Sequence, residues 1–324
     1  MKGKYHVVVQ NKRLRYEFDI KRNITIIRGD SATGKTTLYT MIALASRRGE
    51  SSGVEVQCEK KCRTLDELDW KLVLPTLHDQ IIFLDEENLF LKTTDFAGMA
   101  KESDNYFVII TREELANLPY SVEEIYGIHT AGKYHDMKKI YNEFYHIYSN
   151  GESSEEMKPD EVIVEDSNSG FEFFKEICSE HTVSCRSAGG KSKLKDALQT
   201  VESENTLVVA DGASIGPEMN ELYQYMKIHP GTRCYLPESF EWMILKSGLI
   251  DGNAVQDILG HPQDFIESQE YFSWERFFTD LLIQYTQGTY LKYGKRKLNE
   301  VYLHEKAKKA ILAVMEKVTF ENIG

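Results

Sequence analysis

Gly29-Asp30-Ser31-Ala32-Thr33-Gly34-Lys35-Thr36 is the stretch on which the reading of this chain turns. It matches the phosphate-cradling pattern G-x-x-x-x-G-K-[ST] at every fixed position. The glycines let the backbone curl so that successive N–H groups of residues 31 to 37, the last of them Thr37, point at phosphate oxygens. A helix starting where the loop ends adds the positive end of its dipole, and Lys35 brings a mobile charge to the outer phosphates. The Thr36 hydroxyl suits Mg²⁺. The flanks support the motif: Asn23-Ile24-Thr25-Ile26-Ile27-Arg28 is β-branched and reads as a buried strand, while Thr37 to Ala45 places apolar residues at helical spacing. A glycine turn that merely precedes Lys-Thr is the bland alternative, and the strand–loop–helix setting argues against it.

Ile81-Ile82-Phe83-Leu84-Asp85-Glu86 is the second element: four apolar residues ending in two acids. Beside a loop of this kind, a strand ending in an acid orients the metal. Asp85 takes that role, directly or through water, and Glu86 would polarise an attacking water. The competing reading is that both acids cap the helix that follows.

The 324 residues are enough for two domains, and 41% hydrophobic with 11% aromatic residues is an ordinary globular core. No apolar run approaches membrane-spanning length, and the opening Met1-Lys2-Gly3-Lys4-Tyr5 moves straight into a strand pattern. Five irregularly spaced cysteines, with no second Cys/His pair near Cys58 and Cys62 to complete a zinc site, read as reduced thiols of a cytoplasmic protein. Of the net charge of −12, residues 151–324 carry −11, which disfavours general nucleic-acid binding. Lys292, Lys295, Arg296 and Lys297, followed by Lys306, Lys308 and Lys309, are the local exception, either a nucleic-acid contact or a solvated face.

Tyr5 to Val9 and Leu14 to Phe18 read as a hairpin, and Val54 to Cys58 as a strand. Thr64-Leu65-Asp66-Glu67 looks like a capping box opening a helix that ends near Pro75, and Tyr106 to Thr111 is another buried strand. Residues 1–149 therefore form one α/β domain, and the polar stretch 150–159 reads as a linker. A second strand–helix alternation runs over 160–249, and 250–324 is a helical C-terminal region.

The hairpin with its immediate P-loop resembles the ATP-binding-cassette and RecF-like ATPases. That resemblance implies an N-terminal NTPase sheet, ATP and Mg²⁺ as cofactors, and a γ-phosphate sensor where this chain has Thr111-Arg112. Arg112 is then either a charge reaching the phosphates or an exposed arginine at a helix start. The fifty positions between Lys35 and Asp85 leave no room for the family's signature insertion, and no Leu-Ser-Gly-Gly-Gln-like sequence occurs. Slow or partner-dependent turnover follows. ATP is the default base because no Asn-Lys-x-Asp motif stands in a suitable position.

In the second half two strands end in acids, Val164-Glu165-Asp166 and Ala210-Asp211, with Gly189-Gly190-Lys191 between them. Over roughly residues 160–245 this order resembles the Toprim domain, whose acids hold Mg²⁺ for strand cleavage. The resemblance implies a Rossmann-like sheet with Glu165, Asp166 and Asp211 as metal ligands. The chain departs from it at Asp166, Ser169 and Ala213, where the family has a glycine and two acids. The alternative is a degenerate Toprim-like scaffold. The combination resembles a reduced member of the OLD family of phage-defence ATPases. The expected function is an ATPase whose nucleotide state controls the second domain, a partner effector or a second copy of the chain. An ATP-regulated nuclease, a nucleotide-sensing adaptor and a small-molecule kinase are the alternatives.

Overall fold

The computed structural model describes residues 1–29, 34–130, 139–148, 156–250 and 252–320. The chain is α/β and divides into two units. The first comprises residues 1–149 together with His261–Ser273; the second comprises 150–260 and 274–324.

The first unit contains β1 (Tyr5–Gln10), β2 (Leu14–Ile20), β3 (Ile24–Ile27), α1 (Lys35–Arg48), β4 (Glu55–Gln57), β5 (Lys61–Thr64), α2 (Trp70–Val73), β6 (Gln80–Asp85), α3 (Thr94–Glu102), β7 (Tyr106–Ile110), β8 (Ile125–Thr130) and β9 (Ile140–His146). Among the described residues these strands form one nine-stranded sheet in the order β4-β1-β2-β9-β8-β3-β7-β6-β5. The run β8-β3-β7-β6-β5 is parallel throughout, whereas β1 is antiparallel to both β2 and β4. Composition explains the difference. β3 and β7 are apolar and buried along their whole length, as strands covered on both faces must be. β2 instead alternates, with Tyr16, Phe18 and Ile20 buried and Glu17 and Asp19 exposed.

Chain connectivity bends this sheet. β4 and β5 are its outermost strands, yet only Cys58, Glu59 and Lys60 separate them. Four Cα–Cα steps reach about 14 Å, whereas nine strands laid flat span about 38 Å. The sheet therefore curls until its edges meet. Its concave side is filled by α1, whose Leu38, Met41 and Ile42, at i, i+3 and i+4, pack in one core with Val7, Val9, Phe18, Phe83 and Val108.

Thr64 ends β5, so it opens no capping box; the helix expected there is reduced to α2 and one following 3₁₀ turn at Leu74–Thr76. Pairing with β6 from Lys61 to Thr64 claims the backbone that the cap would have used. No helix starts at Arg112 either, because the Thr111 hydroxyl and the Glu113 backbone close a local turn.

The second unit contains β10 (Glu161–Val164), α4 (Ser169–Glu180), β11 (Ser184–Ser187), α5 (Leu194–Gln199), β12 (Thr206–Val209), α6 (Met219–Ile228), β13 (Thr232–Tyr235), α7 (Phe240–Lys246), α8 (Asn253–Gly260), α9 (Trp274–Thr286) and α10 (Glu305–Leu312). Its four strands are parallel in the order β11-β10-β12-β13. Of the expected linker, 150–155 lie outside the described residues, while Met157 is bridged to Val318 within this unit.

The returning segment 261–273 is tied to the first unit by buried hydrogen bonds. Asn23 Nδ2 donates to the Ser268 carbonyl at 2.9 Å, and the Asn23 carbonyl accepts from Phe107 N–H at 2.7 Å. Asn23→Ala strands the Ser268 carbonyl in a buried position. It is expected to cost about 1–3 kcal/mol in urea unfolding; an unchanged midpoint would show that the returning segment does not brace β3.

Candidate functional site

The carboxyl ends of β3, β7 and β6 build the first candidate site. Ile27 is in register with Ile110, and Ile110 with Asp85, so the three lie on one row across adjacent strands. Asp85 therefore stands about 10 Å from the end of β3. β7 separates β6 from the strand that feeds the glycine loop, so the acid-bearing strand is not its immediate neighbour as the sequence reading had it. Chain order reverses about β3, with β7 on one side and β8 on the other, and such a switch point leaves a crevice at the carboxyl edge.

Asp30, Ser31, Ala32 and Thr33 lie outside the described residues. Around them the geometry is specific. Gly34 has φ +88° and caps the start of α1. Its carbonyl accepts a hydrogen bond from Tyr16 Oη at 2.9 Å, and the Thr37 hydroxyl bonds the same phenol. A Cβ on Gly34 would sit 2.8 Å from that oxygen, so glycine is required by both conformation and space. Lys35 is buried, with Nζ donating to the Gly29 carbonyl at 2.5 Å. Thr36 follows in the first turn of α1, exposed. Arg28 braces the other end: its guanidinium donates to the Glu113 carbonyl at 3.2 Å and reaches Tyr120 and Tyr148 at 3.4 Å.

Asp85 is buried and held in a tight turn. Its Oδ1 accepts Glu86 N–H at 2.6 Å, and its own N–H donates to Asn88 Oδ1 at 3.0 Å. Burial, with the Glu86 and Glu87 carboxylates beside it, holds Asp85 above the ordinary carboxylate range. That is the condition under which a cation is most welcome. Glu86 is more open; it accepts Arg112 N–H at 3.2 Å and lies 3.6 Å from the Arg112 guanidinium. Arg112 is thus engaged with Glu86 at the sheet edge.

The second edge lies in the other unit. Glu165 and Asp166 follow β10, and Asp211 follows β12, one residue beyond Ala210. Gly190, at φ +120°, turns the chain after β11 so that its N–H reaches the Glu165 carbonyl at 2.8 Å; the Lys191 N–H hydrogen-bonds the Glu165 carboxylate. A cavity of about 20 Å³, room for one water molecule, is lined by Glu165, Asp166, Asp211 and Phe240. Three further charges complete the cluster: Glu241 and Glu275, not singled out by the sequence reading, and Lys295, which it assigned to the basic cluster. Glu241 is buried on α7 and accepts a hydrogen bond from Tyr293 at 2.8 Å, while Lys295 Nζ lies 2.5 Å from Glu275 and 3.9 Å from Glu241. Ser169, where the Toprim pattern has an acid, hydrogen-bonds Tyr293 at 2.5 Å.

Among the described residues, no three His, Cys, Asp or Glu side chains converge on a point where they could hold a metal. Glu165, Asp166 and Asp211 share an edge without forming such a ligand set; Asp166 and Asp211 face Lys295, and Glu165 faces Lys191. Lys295 is consequently withdrawn from the basic cluster considered for nucleic acid; Lys308 is withdrawn too, paired with Glu180 and with Glu305 at 2.8 Å. Lys292, Arg296 and Lys297 remain exposed. The signal that could have found Glu241 is its place in Phe240-Glu241-Trp242-Met243-Ile244-Leu245, a charge inside a buried run. Tyr16 carried no comparable signal, since its partner lies eighteen residues away across the fold.

Comparison with protein-family profiles, characterised proteins and solved structures finds no match. Among the described residues, no helix is long and apolar enough to cross a membrane.

Two expectations follow. Gly34→Ala should destabilise the chain by about 1–2 kcal/mol from backbone strain alone. The additional cost of the Tyr16 contact should vanish in a Tyr16→Phe background, which a double-mutant cycle in urea measures; full additivity would show that the phenol does not press on the loop. The second expectation concerns pH. Burial, then Asp166 and Glu275, push Glu165 from 4.5 up to about 7. The folded chain therefore binds this proton more tightly than the unfolded chain. The resulting stabilisation is complete below pH 4.5 and is lost as pH rises through 7, by about 3 kcal/mol. Asp166 and Asp211 are raised in the same direction. Glu165→Gln should flatten the decline between pH 5 and 8, and an unaltered slope would remove Glu165 as its source.

Proposed function

We propose that the chain binds a nucleoside triphosphate, ATP by default, at residues 29–37 and hydrolyses it slowly, its nucleotide state acting as a switch for the second unit or a partner. The observation that carries this reading is the single row formed by Ile27, Ile110 and Asp85, with Lys35 and the start of α1 beyond the end of β3. On this reading Lys35 leaves the Gly29 carbonyl for the outer phosphates, and the loop amides up to Thr37 hold phosphate oxygens. Thr36 and Asp85 would hold Mg²⁺, which screens phosphate charge when bound. Asp85 suits that task because its burial leaves the carboxylate short of positive charge. Glu86 orients a water on the γ-phosphorus; as the new P–O bond forms and the bond to the β-phosphate oxygen breaks, the water's proton passes to Glu86. Arg112 holds Glu86 from the β7 side, and on this reading it responds to the outer phosphate.

A second reading, nucleotide sensing without turnover, draws on that same pair: a Glu86 kept on Arg112 binds no water. At the second edge no step through a metal is derived, because Lys295 already answers the carboxylates.

Lys35→Ala is expected to weaken binding of a fluorescent ATP analogue tenfold or more, the loss of a charged hydrogen bond; an unchanged Kd sinks the assignment. Glu86→Gln should keep that affinity while phosphate release falls by about 10²–10⁴. If wild type binds ATP tightly but releases no phosphate, the sensing reading replaces hydrolysis.

A further inference from the structure

Cys58 and Cys62 bracket the turn through which the sheet closes. Both thiols lean on one residue within it: Lys60 N–H donates to Cys58 Sγ at 3.4 Å, and Cys62 Sγ lies 3.7 Å from the Lys60 carbonyl oxygen. The Cys62 S–H donates to that carbonyl, and the two thiols lie close enough to interact with each other. Each is half-buried, packed from the sheet side against the core that holds Leu38, Met41 and Ile42 of α1. The pair is therefore in contact, partly open to small solutes, and placed where the two outer strands meet.

We propose that Cys58 and Cys62 are a reversible redox modification site that reacts with a low-molecular-weight disulfide of the oxidised-glutathione type. Their roles differ. The Lys60 N–H donated to Cys58 Sγ favours a thiolate there, whereas the Cys62 S–H is held by the Lys60 carbonyl; the Cys58 thiol is accordingly lowered and the Cys62 thiol raised. At neutral pH Cys58 is the nucleophile and Cys62 keeps its proton. The Cys58 thiolate attacks one sulfur of the small disulfide; the S–S bond breaks and one small thiolate leaves. Cys62 then gives up its proton and attacks Cys58 Sγ of the mixed disulfide, forming the Cys58–Cys62 bond and expelling the second small thiolate. Two protein thiols are oxidised, one small disulfide is reduced to two thiols, and the two protein protons end on those thiols.

The bond closes a ring of only five residues, so its effect is local. It fixes the β4–β5 turn against α1, the helix that starts at Lys35. Cys178 and Cys185 provide an internal comparison. They too lie close enough to interact with each other, but Cys178 lies fully buried on α4. The inference stands on the thiol geometry and is independent of the nucleotide reading.

The test uses the full chain, incubated with oxidised glutathione near neutral pH, quenched with an alkylating reagent and digested with trypsin without reductant. Lys60 and Lys61 lie between the cysteines, so digestion separates them unless they are bonded. The expected product is the peptide 49–60 linked to Cys62-Arg63, lost on reduction with dithiothreitol, with alkylation lost at both cysteines. In Cys62→Ser the reaction should stop at a glutathione adduct on Cys58. The proposal is overturned if both cysteines of the wild type remain alkylated, or if the wild type accumulates the Cys58 adduct without closing the bond.

Discussion

The three-residue connection from β4 to β5 is the constraint on which the first unit depends. It joins strands that pairing places at opposite ends of a nine-stranded sheet, and so forces the sheet to curl round α1. Burial follows from that closure. Leu38, Met41 and Ile42 meet apolar side chains from the antiparallel strands on one side and the parallel strands on the other. At about 25 cal/mol per Å² of apolar surface, a helix covered on several sides gains far more than one lying on an open sheet. Phe18 shows how the two parts share the core: it stacks on Phe144 at 4.3 Å and meets Phe83 edge-on at 6.3 Å.

The same closure positions the candidate site. Without the curl, Tyr16 on β2 would stand far from the start of α1; with it, the phenol reaches the Gly34 carbonyl and fixes the loop's exit. The loop's entry is held separately, by Arg28, which follows β3 and donates to the Glu113 carbonyl in the segment after β7. The residues on either side of positions 30–33 are thus each tied to distant parts of the first unit.

How much of this was legible in sequence depended on range. β3, α1, β6 and β7 were read because their signals are local: β-branched runs, helical spacing, acids at a strand end. The parallel sheet of the second unit was read for the same reason. The helix expected after Thr64 failed because tertiary pairing with β6 overrode a local capping signal. Tyr16 and Glu241 went unread as site residues, and Lys295 was read only as part of a basic cluster, because their roles exist through partners distant in sequence. Lys295 in particular lies in a run of basic residues whose composition gives no sign that one member turns inward.

Lys295 answers the charge of an acidic edge in the second unit. Glu165, Asp166, Asp211, Glu241 and Glu275 gather near the carboxyl ends of a parallel sheet, and burial raises the first three toward their neutral forms. One ammonium at the centre, raised by Glu241 and Glu275 against the opposing effect of burial, carries the positive charge that the cluster requires. Tyr293 supplies the remaining donor, bonding Glu241 and Ser169 together. In that arrangement the serine at 169 is a working part: an acid there would add another negative charge beside Asp166 and leave Tyr293 without a neutral partner. Ser169, Tyr293 and Lys295 then act together, with an internal cation balancing the acids of the edge.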